Sequence, residues 1–194
     1  MKLLNEELIT QLEGIFSEMP SAVTLAVFTQ EGPCETCTET ISFMEEIAEV
    51  SDKISLVKYT KEANADMVEQ YQIELYPSII LLDAAGEYHG VKFNGMPAGH
   101  EFNSFIPAIL ETGGASEEVP AELAARIAKI DKPINIKVFV TLSCPHCPGA
   151  VQTAHKLAML NKNVNAEMVE AQTFMELSQK HGVSGVPKIV INDE

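Results

Sequence analysis

One pattern occurs twice in this sequence of 194 residues. Each occurrence contains a Cys-x-x-Cys pair and, further along the chain, a proline. The offset that separates the first cysteines of the two pairs also separates the two prolines. Because the spacing is kept, the sequence predicts an internal duplication in which both copies form the same unit. The repeated residues are Cys34, Cys37 and Pro77 in the first copy and Cys144, Cys147 and Pro187 in the second.

Hydrophobic periodicity predicts the same order of elements in both copies. In the second copy, the apolar run 136–140 predicts a buried strand, and the spacing of apolar residues over 150–160 predicts a helix. A second strand, a short helix and a strand that follows the proline come next. Each copy therefore predicts an α/β fold, in which a mixed β-sheet is flanked by helices.

A glycine-containing polar linker over residues 112–118 separates the two copies. The predicted units are residues 1–114 and residues 115–194, each with one cysteine pair. After Pro77 the predicted elements continue to Leu110, whereas the sequence ends soon after Pro187. We therefore expect the second unit to be truncated at its C-terminus, without the return strand and the last helix. The alternative is a natural short form whose exposed sheet edge needs a partner.

The composition restricts the classes of function. The chain has 28 acidic and 13 basic residues and a net charge of −15, which argues against a nucleic-acid-binding protein and gives no support for a membrane-binding one. No run reaches the roughly 18 apolar residues of a membrane span, and the N-terminus has no signal-peptide core. We therefore predict a cytoplasmic location, where paired cysteines indicate redox or metal chemistry rather than structural disulfides.

The second pair has the sequence features of a site with a reactive thiol. It stands where a predicted strand ends and a predicted helix begins, so the positive end of the helix dipole stabilises a thiolate. We predict that Cys144 attacks disulfides and that Cys147 resolves the mixed disulfide. His146 favours the thiolate when it is protonated and offers a hydrogen-bond donor when it is neutral. Pro145 stiffens the turn. Stabilisation of the reduced form should make this pair comparatively oxidising.

The first pair has a different electrostatic environment. Glu35 stands between Cys34 and Cys37, and Glu31 and Glu39 are near in sequence. Negative charge opposes thiolate formation, so we expect this pair to be less acidic and more reducing than the second. It either passes electrons to the second pair or is a vestigial or regulatory disulfide.

Four segments carry a family resemblance: residues 95–102, 144–148, 154–158 and 186–191. They resemble the glutaredoxin-like protein disulfide oxidoreductases, which contain two thioredoxin folds with one Cys-x-x-Cys each. A relative with the same double fold is the N-terminal domain of the flavoprotein that reduces the alkyl hydroperoxide peroxiredoxin. That relative generally keeps only its second pair, so the presence of both pairs favours the first family.

The resemblance implies two tandem thioredoxin-like folds, in each of which a cis-proline loop faces the Cys-x-x-Cys pair. Tyr76-Pro77 and Val186-Pro187 occupy that place, and their equal spacing from the cysteines supports cis bonds at both sites. The sequence also departs from thioredoxin. Phe28 and Val138 stand where thioredoxin has a buried acid, so the proton acceptor for the second thiol is not identified.

The predicted function is a thiol–disulfide oxidoreductase that reduces, forms or isomerises disulfides in protein substrates, without a cofactor or a bound metal. A thioredoxin-reductase-like flavoprotein is the expected electron donor. The first alternative is a relay from a flavoprotein reductase to a peroxiredoxin. The second is a non-catalytic metal-binding or scaffold protein, although the interval between the two pairs far exceeds the roughly 15–20 residues of a zinc ribbon. The histidines predicted to be surface or capping residues are His89, His100, His155 and His181.

Overall fold

The computed structural model describes residues 2–194. Its strands are β1 (Val23–Thr29), β2 (Ile54–Thr60), β3 (Ser78–Leu82), β4 (Tyr88–Asn94), β5 (Ile134–Val140), β6 (Val164–Glu170) and β7 (Lys188–Ile191). Its helices are α1 (Glu6–Ser17), α2 (Cys37–Glu49), α3 (Ala65–Gln70), α4 (Phe102–Thr112), α5 (Ala121–Ile127), α6 (Cys147–Leu160) and α7 (Met175–Lys180), with a 3₁₀ turn at Gly99–Glu101. Within residues 2–194, no helix is both long and apolar enough to cross a membrane.

The seven strands form one mixed sheet in the order β2-β1-β3-β4-β6-β5-β7. β3 and β7 run antiparallel to their neighbours, and the other strands are parallel to one another. The predicted α/β fold with a mixed sheet is thus confirmed. The copies join because β4 pairs with β6 in parallel, with Val91 opposite Ala166. The division into units 1–114 and 115–194 stays a prediction.

Gly90 permits the close approach of β4 to β6 at this junction. Its φ angle is +79°, in the region that favours glycine. A Cβ atom at this position would lie 2.5 Å from the carbonyl oxygen of Val164. A larger residue at position 90 would therefore push the two copies apart where their strands first meet.

The two faces of the sheet are packed differently. On one face, residues from α1, α2, α4 and α6 share a single hydrophobic core that extends across both copies. On the other face there are two separate cores, one under α3 around Phe28 and one under α7 around Phe139. Between them the Glu167 carboxylate accepts hydrogen bonds from Asn94 at 2.7 Å and Asn135 at 2.6 Å. The copies therefore share an apolar core on one face only.

The prediction that His155 lies at the surface or caps a helix is wrong. His155 is a residue of α6, and its side chain is 2% exposed. The side chain packs against β4, where its ring centroid is 4.7 Å from that of Phe93. Burial arises because the first copy supplies β4, which the local pattern of the second copy does not show.

Candidate active site

The two Cys-x-x-Cys pairs lie at the same end of the sheet, where β1 and β5 finish. β1 and β5 run in the same direction, and a short loop leads from the end of each strand to a pair. α2 begins at Cys37 and α6 begins at Cys147. Cys34 and Cys144 therefore lie just before a helix N-terminus, where unpaired N–H groups favour a negative charge.

The second pair has the geometry of an attacking thiol and a resolving thiol. Cys144 and Cys147 are joined in a disulfide, with 5.6 Å between their Cα atoms. The backbone N–H of Cys147 donates to Sγ of Cys144 at 3.1 Å, a contact that would stabilise a thiolate on that sulfur. Cys147 has no exposed surface, whereas Cys144 is 8% exposed. An incoming disulfide can therefore reach Cys144 but not Cys147.

The structure brings the predicted proline loop to the second pair. The Val186-Pro187 and Tyr76-Pro77 peptide bonds are both cis, as the sequence predicts. The carbonyl oxygen of Val186 lies 4.0 Å from Sγ of Cys144. This loop therefore forms the wall of the site that faces the attacking sulfur.

The surface around the second pair is free of acidic residues along the chain from 141 to 155. Pro145 and His146, the two residues between the cysteines, are both exposed. They can contact a protein substrate, and no negative charge in this segment opposes a thiolate on the neighbouring sulfur.

The first pair has the same backbone arrangement, but more carboxylate groups lie around it. Cys34 and Cys37 form a disulfide with 5.5 Å between their Cα atoms. Cys34 is half-buried, and Glu35 beside it is exposed. Burial, and then the charge of Glu62, raise the pKa of Tyr76 in the adjacent proline loop. The negative charge therefore extends across both sides of this site.

The sheet holds the two pairs apart. Four strand spacings of about 4.8 Å separate β1 from β5, which gives roughly 19 Å between the strands that position the pairs. Disulfide exchange requires contact between sulfur atoms. Direct electron transfer between the pairs of one chain is therefore not possible in this arrangement.

A buried carboxyl group that the sequence does not identify lies in the turn that packs against α6 and the loop before Cys144. Glu101 has no exposed surface, and its 3₁₀ turn contacts α6. Ser104 donates to one carboxylate oxygen, whereas Oε1 is buried without a partner among the described residues. Burial raises the pKa of Glu101. The backbone N–H of His100 donates to the carbonyl oxygen of Leu142 at 2.9 Å, which fixes this turn against the loop before Cys144.

The sequence offers a weak signal for Glu101. The segment 95–102 belongs to the family resemblance, but no spacing links its acid to the cysteines. Gly99 explains the position of the turn: its φ is +57°, and a Cβ atom there would lie 2.5 Å from the Leu142 carbonyl oxygen. The close contact that brings the Glu101 turn to the loop before Cys144 therefore depends on a glycine two residues before Glu101.

Within residues 2–194, one group of side chains has spacing compatible with a metal ion: Asp83, Glu87 and His89. It is formed by the β3–β4 turn and the start of β4, at the end of the sheet opposite the cysteines. Asp83 already accepts hydrogen bonds from the backbone of Ala85 and Glu87. Its contact with His89 at 2.7 Å is the largest cause that lowers the pKa of Asp83. These bonds stabilise the turn itself.

Comparisons with known proteins agree with this geometry. The thioredoxin domain family matches residues 134–194. The alkyl hydroperoxide reductase component AhpF of Escherichia coli (strain K12) is 30% identical over 190 residues, which covers 98% of this chain and 34% of that protein. The chain spans about a third of the length of the curated relatives it matches.

Two solved structures extend the similarity to the whole chain. The alkylhydroperoxide reductase AhpF of Enterococcus faecalis (V583) superposes with a TM-score of 0.93 at 37% identity, covering 100% of this chain and 92% of that one. A protein disulfide oxidoreductase from Aeropyrum pernix superposes with a TM-score of 0.90 at 27% identity, covering 100% and 86%. Both copies of the duplication, with their shared sheet, are therefore present in these relatives.

Proposed function

The chain belongs to the double thioredoxin-fold redox domains that include the N-terminal domain of the alkyl hydroperoxide reductase AhpF and the protein disulfide oxidoreductases, and we propose that it exchanges electrons with disulfides of protein partners. One observation carries this proposal. Sγ of Cys144 lies between the Cys147 N–H group and the Val186 carbonyl oxygen, where it can be ionised and can meet a substrate backbone.

The exchange proceeds in two steps. The Cys144 thiolate attacks one sulfur of the substrate disulfide, the substrate S–S bond breaks, and the leaving thiolate takes up a proton. Cys147 then loses its proton and attacks Sγ of Cys144, which releases the second substrate thiol and forms the Cys144–Cys147 disulfide. Two electrons and two protons pass to the substrate. The reverse sequence forms a disulfide in a substrate dithiol.

We propose that the substrate lies against the loop before Pro187. The Val186 carbonyl group faces the attacking sulfur, so an extended peptide can pair with this backbone by short β-augmentation. Exposed Pro145 and His146 would contact the same peptide from the other side. Reduction of insulin by dithiothreitol tests the activity: we expect the chain to accelerate precipitation of the insulin B chain, and an unchanged rate would contradict the proposal.

A second candidate is favoured by the 37% identity to the Enterococcus faecalis AhpF structure along the whole chain. In this function the second pair relays electrons from a thioredoxin-reductase-like flavoprotein to a peroxiredoxin, in the cytoplasm. A reconstituted assay distinguishes the two candidates. NADH- or NADPH-dependent peroxide reduction that requires this chain supports the relay, whereas insulin reduction without peroxide turnover supports the general oxidoreductase.

The separation of the pairs adds a condition to either function. Because roughly 19 Å lies between β1 and β5, electrons that move from the first pair to the second must be carried by another molecule. A partner that visits both sites, or a second copy of the chain, meets this condition.

We propose Glu101 as the proton acceptor for Cys147. A buried thiol must lose its proton before it resolves the mixed disulfide, and a buried carboxyl group with a raised pKa is suited to accept it. We expect Glu101→Gln to slow the second step by about tenfold or more and to leave formation of the mixed disulfide nearly unchanged. Quenched-flow mass spectrometry resolves the two steps.

The control for this variant is Glu122→Gln, which removes the same charge from an exposed position of α5. Glu101→Asp keeps the carboxyl group and should restore part of the rate. If Glu101→Gln slows both steps equally, the effect is on folding or substrate binding and Glu101 is not the proton acceptor.

We expect the Cys144 thiol to have a lower pKa than the Cys34 thiol. Cys144 has the Cys147 N–H at 3.1 Å and no acidic neighbour along the chain, whereas Cys34 has Glu35 beside it. Iodoacetamide should therefore label Cys144 faster at slightly acidic pH, by about tenfold. The measurement uses variants in which the other pair and the resolving thiol are replaced.

Glu35→Gln tests the cause of the difference. If the Glu35 charge acts on Cys34, this variant labels at lower pH than the parent. Equal labelling profiles for Cys34 and Cys144 across the pH range, or earlier labelling of Cys34, would overturn the predicted order of the two thiols.

A further inference from the structure

The acidic charge of this protein is concentrated in the first copy, and part of it surrounds the first pair. Residues 1–114 contain 19 acidic and 5 basic residues, whereas residues 115–194 contain 9 and 8. Four of the acids lie in the segments that surround Cys34, and all four are exposed. They are Glu31 in the loop before the pair, Glu35 between the cysteines, Glu39 in the first turn of α2, and Glu62 after β2.

Contacts across the site bring Glu62 to the first pair although it is distant in sequence. The Glu62 carboxylate accepts a hydrogen bond from the backbone N–H of Glu31 at 3.1 Å. It also acts on Tyr76, the residue before the cis-proline of this site. Lys61 is the neighbouring cation, and its Nζ lies 5.4 Å from the centroid of the Tyr76 ring.

The second pair provides a matched comparison, because from the first cysteine of each pair onward the duplication places equivalent positions at the offset that separates the two pairs. The backbone N–H of Lys61 donates to Thr29 at 2.9 Å, and that of Ala171 donates to Val140 at 2.8 Å, which aligns the loops after β2 and β6. None of the four acids has an acidic counterpart. Glu35 corresponds to Pro145, Glu39 to Gly149 and Glu62 to Gln172, and the loop 141–143 has no charge.

The acids near the second pair are of a different kind. Glu101 and Glu170 are 0% and 4% exposed, and the Glu170 carboxylate accepts hydrogen bonds from Thr173 at 2.6 and 2.7 Å. An incoming substrate meets exposed carboxylates at the first pair, and meets exposed Pro145 and His146 at the second.

We propose that the first pair selects cationic disulfides, so that its substrates are cysteines flanked by lysine or arginine, whereas the second pair does not select by positive charge. This inference rests on the proposed exchange activity and adds the substrate class of the first site. Exposed carboxylates raise the local concentration of a cationic substrate and repel an anionic one, and these effects on association weaken as salt is added.

The reaction at the first pair is the same exchange as at the second. The Cys34 thiolate attacks a sulfur of the cationic disulfide, the S–S bond of the substrate breaks, and the first substrate thiol is released with a proton. Cys37 then attacks Sγ of Cys34 and releases the second thiol. The pair is oxidised by two electrons and the substrate is reduced by two.

Three small disulfides of similar length test the selectivity: cystamine, which is cationic, bis(2-hydroxyethyl) disulfide, which is neutral, and 3,3′-dithiodipropionate, which is anionic. Each is mixed with reduced protein in which one pair is replaced, Cys144→Ser with Cys147→Ser or Cys34→Ser with Cys37→Ser. Oxidation of the remaining pair is followed by quenched alkylation. The cystamine rate divided by the dithiodipropionate rate is the charge ratio.

We expect the charge ratio of the first pair to exceed that of the second by about tenfold or more at low ionic strength. The intrinsic reactivities of the probes cancel in this comparison, since both pairs meet the same compounds. The charge ratio of the first pair divided by that of the second should fall towards one in about 0.5 M NaCl, where the Debye length is only a few ångströms.

Charge-removing variants identify the cause. Glu35→Gln with Glu62→Gln should lower the charge ratio of the first pair by about threefold or more. Glu13→Gln with Glu49→Gln removes the same charge from exposed positions. Glu49 ends α2, about 18 Å from Cys37 along the helix, so this control should leave the charge ratio unchanged.

The outcomes separate this inference from the proposed function. Exchange at the first pair with equal charge ratios at both pairs, or a ratio that does not respond to salt, overturns the selectivity and leaves the exchange activity standing. Equal effects of the two double variants also overturn it. If neither pair reacts with the neutral disulfide, the exchange function itself fails, and the inference that rests on it fails too.

Discussion

Replacing Cys144 with serine should reduce the insulin-reduction rate by about a hundredfold or more, because a serine hydroxyl is a far weaker nucleophile than a thiolate at neutral pH. The lost group is the sulfur that accepts the Cys147 N–H at 3.1 Å and faces the Val186 carbonyl at 4.0 Å. Cys34→Ser removes a sulfur from the first pair, where nearby carboxylates oppose thiolate formation. This variant should keep about half of the activity or more. The measurement is the initial rate of insulin precipitation with dithiothreitol.

Two further variants make this test specific. Cys147→Ser keeps the attacking thiol but cannot resolve, so it should accumulate a mixed disulfide with insulin that a non-reducing gel detects. Far-UV circular dichroism shows whether each variant keeps the parent fold. If Cys34→Ser proves the more damaging change, the first pair is the principal site and the assigned roles are reversed.

The fold could be predicted because its signal is repeated within the chain. The cysteine-bearing helix, the strand that follows it and the proline loop of one copy have counterparts at the same offset in the other, which supports assignments that one copy alone leaves open. The short helix predicted in the second copy begins only at Met175, because residues 171–174 form the turn that follows β6.

The cysteines and prolines of the site could also be predicted, since their chemistry is local and their spacing is constant. Glu101 could not be assigned, because it is distant from Cys144 in the sequence and reaches the second pair only through packing of the 3₁₀ turn against the loop at Leu142. The distance between the two pairs could not be predicted from the sequence either. It follows from the β4–β6 pairing, which places four strand intervals between β1 and β5.

His155 shows how a long-range contact changes the meaning of a local pattern. It lies on α6 between Ala154 and Ala158, and a single thioredoxin unit would allow this face to meet solvent. In this structure the face packs against β4 of the first copy. His155 Nε2 lies 3.2 Å from the Lys92 carbonyl oxygen, and the ring meets Phe93 edge to face.

This burial predicts an acid-sensitive contact between the two copies. Burial lowers the pKa of His155 to about 4, against the opposing effect of the hydrogen bond to the backbone of Lys92. In the unfolded chain the group has its ordinary pKa of about 6.5. As the pH falls below that value, the unfolded state binds a proton that the folded state does not, so stability decreases until the folded pKa is reached.

Between pH 7.5 and 4.5, we expect His155 to contribute a loss of about 2.5 kcal/mol in the free energy of unfolding. Urea titrations across this range measure it as the difference between the parent and His155→Gln, which keeps an N–H donor for Lys92 but does not titrate. Taking the difference removes the contributions of the other titrating groups. The parent should lose stability relative to His155→Gln as the pH falls.

His100→Gln is the matched control, because it makes the same substitution at an exposed histidine rather than at a buried one. A parent-minus-His155→Gln difference that stays constant from pH 7.5 to 4.5 would contradict the buried neutral state of His155. A difference that grows as the pH falls, accompanied by loss of hydrogen-exchange protection in both β4 and α6, locates the acid-induced opening at the junction of the two copies. At that junction one protonation weakens the contact between β4 of the first copy and the helix that begins at Cys147.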